Sequence, residues 1–171
     1  SVLNKEKKTM TISEIMQKMI AFSNGNRHDI RHLLKVWGFA KTIGEAEQLD
    51  ADTLFLLEAA AITHDIACPL CREKYGNTNG KYQEIEGAVL VRDFLADTGL
   101  DEKQIDRVSY LVGHHHTLSD VSGADYQILI EADYLVNADE SSYSAENIRN
   151  FRDTFFKTET GTRLLNDIYR V

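Results

Sequence analysis

The sequence predicts an all-α fold, and three observations carry that expectation. Only one proline stands in 171 residues, so helix-breaking punctuation is sparse. No segment alternates apolar and polar residues over the length of a strand. Apolar residues recur instead at three- and four-residue spacing between capping and stop signals. A chain of this length is expected to form a single compact domain over residues 1–171, with about six to eight helices.

Thr11 with Glu14 forms a capping-box signature, and Ile12, Ile15, Met16, Met19 and Ile20 follow at helical spacing. This first helix is expected to end near Asn24-Gly25-Asn26. A second runs from about Asp29 to Ile43, with Leu33, Val36, Trp37 and Ala40 on one side and Gly44 as its stop. A third begins near Asp52 and continues through Leu54-Phe55-Leu56-Leu57 and Ala59-Ala60-Ala61-Ile62. It is apolar nearly all round, which marks a buried central helix. Pro69 disfavours helical geometry at Cys68, which sets its end near Ala67. Residues 70–80 read as a loop. A fourth helix follows from about Tyr82 to Ala96, stopped by Gly99. Asp101 with Gln104 opens a fifth, which carries Ile105, Val108, Leu111 and Val112 and reaches His115. Ser119 to Gly123 is a turn-rich break. A sixth helix spans about Tyr126 to Ala138, and two more, about 144–157 and 160–169, finish the chain.

Composition excludes several classes. Apolar residues at 43% and charged residues at 27% are ordinary for a globular protein. The 19 Lys+Arg stand against 27 Asp+Glu, a net charge of −8. A nucleic-acid polymer or an anionic membrane surface needs the opposite sign, so neither is an expected partner. No apolar run is read as approaching the ~20 residues of a membrane span. Ser1 to Lys8 is polar, with no apolar signal core behind it, so a cytoplasmic location is expected. Residues 1–9 carry no weight, because the chain opens on Ser1 and Met10 offers another start. Two cysteines are too few for a disulfide framework.

The informative feature is the placement of His and Asp. His64-Asp65 closes the apolar central helix. Burying such a carboxylate costs several kcal/mol unless a cation, an arginine or a hydrogen-bond donor neutralises it. His32 lies in the second helix, His114-His115-His116 ends the fifth, and Asp133 sits in the amphipathic pattern of the sixth. Imidazole and carboxylate suit a first-row divalent metal. Two of each leave positions for water and substrate, and a metal so held lowers the pKa of water from 15.7 towards ~7. The plain alternative is a set of core polar groups satisfied by their neighbours.

These segments resemble the HD superfamily of metal-dependent phosphohydrolases. His32-Leu-Leu-Lys-Val36-Trp-Gly-Phe-Ala40 is similar to its first motif, and Ala60-Ala61-Ile62-Thr63-His64-Asp65-Ile66 to the His-Asp motif that names it. Gln83-Glu84-Ile85-Glu86-Gly87-Ala88, Val108 to His116, and Glu131-Ala132-Asp133-Tyr134-Leu135 resemble three further motifs, in order, from about residue 27 to 137. The resemblance implies an HD-type helical domain with one divalent metal (Mn, Fe, Co, Ni, Zn or Mg) on His32, His64, Asp65 and Asp133. It implies phosphohydrolase activity on a small phosphorylated metabolite, with a nucleotide as one form. Asp65 and His115 would be catalytic, and Arg27, Lys81, Gln83 and His116 would contact substrate. A homodimer is the assembly it suggests.

Two positions depart from the family pattern. Gln83 stands where two-metal members carry a histidine, which favours one metal. Cys68 stands where some nucleotidases carry a carboxylate, with Glu73 or Glu84 as substitutes. A non-catalytic ligand-binding or regulatory module on the same fold is the alternative reading. His28-Asp29 reads as a surface cap, and Arg27 as either a phosphate contact or a solvated side chain. Gly76 to Lys81 reads as a flexible loop, since its glycine spacing and Tyr82 depart from a phosphate loop. Cys68 and Cys71 read as free thiols, with a redox or zinc site as the rival.

Overall fold

The computed structural model describes residues 8–171. Among the described residues the architecture is nine helices and no strand: α1 (Ile12–Phe22), α2 (Arg27–Ala46), α3 (Ala51–Thr63), α4 (Cys68–Tyr75), α5 (Gly80–Leu95), α6 (Glu102–Val112), α7 (Ala124–Glu140), α8 (Ala145–Phe155) and α9 (Glu159–Tyr169). The all-α expectation holds. Of the segment 1–9, residues 1–7 lie outside the described residues. Met10 N–H donates to the Thr98 carbonyl at 2.7 Å, which seats the start of the described chain beside Gly99.

α3 is the central helix. It packs against α1, α2, α6 and α7, while α2 also lies along α7 and α5 along α6. Leu57, Ala59, Ala60, Ala61 and Ile62 are fully buried in it. The small alanines let neighbouring helices approach closely from several sides. Buried apolar side chains from Ile15 to Leu165 form one cluster.

Several boundaries differ from the sequence reading. α2 starts at Arg27, capped by the Asn26 side chain on Asp29 N–H at 3.1 Å. It passes through Gly44 instead of stopping there. A Cβ on Gly44 would meet Leu54 Cδ1 at 2.8 Å, so this glycine serves the α2–α3 contact. α3 ends four residues early, at Thr63, whose hydroxyl bonds back to Ala59 O at 2.8 Å. Residues 64–67 then turn tightly, with Ile66 N–H on Thr63 O and Cys68 N–H on Asp65 O, both at 2.9 Å. The expected loop over 70–80 is mostly helix. Pro69 falls in the first turn of α4, where a missing N–H costs nothing, so it starts a helix instead of ending one.

The segment Ala51–Tyr75 has the length and mean hydropathy, 1.5, of a membrane-crossing helix, which corrects the reading that no such run exists. Sixty-seven per cent of that window is buried inside the fold, and the 64–67 turn interrupts it, so its apolar surface is core.

Candidate metal centre

Four helical elements bring their polar groups to one point. His32 projects from α2. His64 and Asp65 stand in the turn after α3. His115 and His116 follow α6, and Asp133 lies mid-way along α7. His64 and His115 are fully buried at their side chains, His32 and Asp133 nearly so, and Asp65 is 28% exposed. His32 Nε2 lies 3.1 Å from His64 Nε2, 3.1 Å from Asp65 Oδ2 and 3.2 Å from Asp133 Oδ1. His64 Nε2 is 3.4 Å from Asp65 Oδ2 and 3.3 Å from Asp133 Oδ1. His115 Nε2 faces the other oxygen, Asp65 Oδ1, at 3.5 Å.

The far side of each ring fixes its proton. His64 Nδ1 donates to Ala61 O and His115 Nδ1 to Val112 O, both at 2.6 Å, because a carbonyl only accepts. His32 Nδ1 donates to the Glu140 carboxylate at 2.5 Å. In their neutral form all three rings therefore turn an Nε2 lone pair toward the two carboxylates. Lone pairs at 3.1 Å repel unless a proton or a cation stands between them. His115 Nε2 and Asp133 Oδ1 are buried without a hydrogen-bond partner.

This donor set fits a first-row divalent ion. Ligand bonds of about 2.1 Å place neighbouring ligand atoms about 3.0 Å apart at 90° and about 3.4 Å apart at 109°. Five of the six separations among His32, His64, Asp65 and Asp133, all but that between the two carboxylates, run from 3.1 to 3.4 Å. His32, His64 and Asp65 form one grouping able to hold an ion, and Asp65, His115 and His116 form another.

The local electrostatics agree. Burial pulls the His32 imidazole down, but hydrogen bonds to Asp133 and Asp65, with their charges, push it up to about 11. His64 is also raised, since the Asp65 charge and Asp133 outweigh its burial. Burial pushes both carboxyls up, yet the surrounding imidazoles hold Asp65 and Asp133 well below the usual carboxylate range. The cluster is built to keep positive charge at its centre.

Neighbouring side chains fix these ligands. Asp133, Asn137 and Glu140 recur at four- and three-residue spacing, so one face of α7 lies against α2. The Tyr126 hydroxyl meets Thr117 O at 2.5 Å and His114 O at 3.0 Å, which secures the turn that carries His115 and His116. Glu84 accepts from His116 N–H at 3.2 Å and Thr117 Oγ1 at 2.8 Å.

Two cavities adjoin the cluster. One, of about 210 Å³, is polar and includes Asp29, Arg72, Gln83, His116 and Glu140. The other, of about 240 Å³, carries Tyr134, Tyr143 and Phe151 beside His115 and Asp133. Gln83 donates to Thr78 O at 2.6 Å and pairs with His116 Nε2 at 2.9 Å, so both residues expected at substrate reach the polar cavity. Arg27 and Lys81 do not: both are exposed and line neither cavity. Arg27 is the first residue of α2 and Lys81 the second of α5.

Arg72 does line the polar cavity, paired at 2.8 and 2.7 Å with Asp29. The sequence reading missed it by assigning 70–80 to a loop, and took Asp29 for a surface cap. His28 does lie at the surface, its side chain 75% exposed. Glu140 was also missed, although its helical spacing from Asp133 was a usable signal. Glu73 is exposed and, like Glu84, does not line the polar cavity. Cys68 and Cys71 are free, and neither belongs to a metal-holding group among the described residues. Burial pushes the Cys68 thiol up, away from the reactive thiolate.

Residues 29–143 match the family model described as "HD domain". No curated protein matches the chain. Two solved structures share its fold. A predicted HD superfamily hydrolase from an uncultured Thermotogales bacterium is 26% identical, with a TM-score of 0.68, covering 92% of this chain and 84% of that one. The Lin1889 protein from Listeria innocua is 17% identical, with a TM-score of 0.56 and 94% of each chain covered, a likeness of fold alone.

Proposed function

The chain belongs to the HD-domain family, and from that premise we propose that it is a metal-dependent phosphohydrolase of a small phosphorylated metabolite. The observation that carries this reading is the convergence of two imidazole Nε2 atoms and two carboxylates at 3.1 to 3.4 Å, an arrangement that only positive charge at its centre, a metal cation or a proton, satisfies. A regulatory module would not need such a set, whose burial is costly without an ion. His32, His64, Asp65 and Asp133 would hold one divalent metal.

Bound there, a divalent ion would supply Lewis acidity toward water and phosphate oxygens. The remaining work falls to the chain. Asp65 orients the attacking water through its exposed side. His115, its Nδ1 proton committed to Val112 O, holds or passes a proton at Nε2 as the leaving group departs. His116 and Gln83 contact the substrate from the wall of the polar cavity.

The test is elemental analysis paired with a phosphate-release screen across metals. One divalent ion per chain is expected. Chelation should abolish turnover and metal add-back should restore it. Full activity in a stripped, chelated sample would refute the proposal.

Glu140→Gln gives a finer check. Glutamine cannot hold the His32 ring as a carboxylate does, and such outer partners are worth about 10–100-fold in metal affinity. Competition with a chelator should show that loss while the fold persists. Unchanged affinity would remove Glu140 from the centre's support.

A further inference from the structure

Among the described residues lining the polar cavity, Arg72 is the one permanently charged cation; the others include the carboxylates of Asp29, Asp65, Asp133 and Glu140. Its guanidinium is 42% exposed and bonds Asp29 through both terminal nitrogens, Nη1 to Oδ2 at 2.8 Å and Nη2 to Oδ1 at 2.7 Å. Asp29 is only 14% exposed at its side chain and sits in the first turn of α2, one turn before His32. A guanidinium carries five N–H donors in a rigid fork. Asp29 uses two of them, which anchors the group and leaves three for an anion. The Asp65 charge also reaches Arg72, beside the stronger hold of Asp29.

We propose that Arg72, held by Asp29, is the phosphate-gripping residue of this site and makes the chain selective for phosphomonoesters over phosphodiesters. The inference rests on the metal-hydrolase reading above. A phosphomonoester has three non-bridging oxygens and a diester has two. With one oxygen committed at the His/Asp cluster, a monoester still offers a pair, which a planar fork takes bidentately. A diester offers one and forfeits the second bond. A lysine in the same place is a point charge and makes no such distinction.

The experiment uses the full chain loaded with metal, assayed on para-nitrophenyl phosphate and on bis(para-nitrophenyl) phosphate, with inorganic phosphate as inhibitor. Wild type should favour the monoester. Arg72→Gln should lower kcat/KM for the monoester about 30-fold and for the diester no more than about threefold, and weaken phosphate inhibition about 30-fold. Arg72→Lys should recover phosphate inhibition in part without restoring the selectivity. Asp29→Asn, which leaves Arg72 loosely held, should move both readouts the same way by about fivefold. Metal content and melting temperature are measured on each variant, and if Arg72→Gln does not fold, the other two carry the test. A monoester-to-diester ratio and phosphate inhibition within about twofold of wild type, in folded variants, would overturn the inference. Turnover of neither ester by wild type would instead sink the hydrolase reading. Calorimetric binding of inorganic phosphate to the metal-loaded chain would still report whether Arg72 grips it.

Discussion

Asp65→Ala is expected to strip the metal and to lower kcat/KM by at least about a thousandfold. Asp65 alone in the cluster uses both carboxylate oxygens. Oδ2 lies 3.1 Å from His32 and 3.4 Å from His64, while Oδ1 faces His115 at 3.5 Å. Its loss removes charge from the ion and orientation from both the water and His115. The fold should survive, because Asp65 stands in the turn between α3 and α4 and is partly exposed. Asp65→Asn keeps the shape and removes the charge, so it separates the two contributions. Metal content, far-ultraviolet circular dichroism and phosphate release decide the matter. An Asp65→Ala protein that turns over at half the wild-type rate would show that the chemistry lies elsewhere.

Glu131→Ala should act on stability and leave the centre intact. Glu131 is fully buried, two residues from Asp133 and so on another face of α7. Its carboxylate accepts from Gln127 Nε2 at 2.6 Å, Thr158 Oγ1 at 2.6 Å, and the backbone N–H groups of Lys157 and Thr158, both at 3.1 Å. These bonds tie the start of α9 to α7. Alanine strands every one of those donors in the interior, at a cost of about 3–5 kcal/mol. In a chain of this size that lowers Tm by roughly 10 °C. Gly161 shows how tight the arrangement is, since a Cβ there would lie 2.0 Å from Glu131 Oε1. Well below the transition, metal content and kcat should change by less than about threefold. A thermal melt unchanged from wild type would show that water replaces the lost carboxylate.

The two variants probe residues that differ in legibility. Asp65 was visible because a carboxylate at the end of a wholly apolar helix demands a neutraliser. Asp133 was visible because the family motif carries it. Glu131 offered no such signal: a glutamate beside Asp133 looks the same whether it faces solvent or gathers donors from a loop 26 residues later. The helices were legible where capping side chains and apolar spacing agreed, as at Thr11 with Glu14 and Asp101 with Gln104, both of which form capping boxes. They were not legible at Pro69, since a proline reads alike whether it stops one helix or begins the next.

By itself the sequence determined the helical class, the buried central helix and which side chains carry metal-ligand chemistry, because periodicity, capping and donor-atom type are properties of short segments. Tertiary structure alone decided which polar groups share a space. It brought Arg72 rather than Arg27 or Lys81 to the polar cavity, set Glu140 behind His32, and buried Glu131 under the start of α9. Those outcomes depend on how helices distant in the chain rotate about their axes when they pack, and a turn of about 100° per residue moves a side chain from the cavity wall to open water without altering the pattern that made the helix.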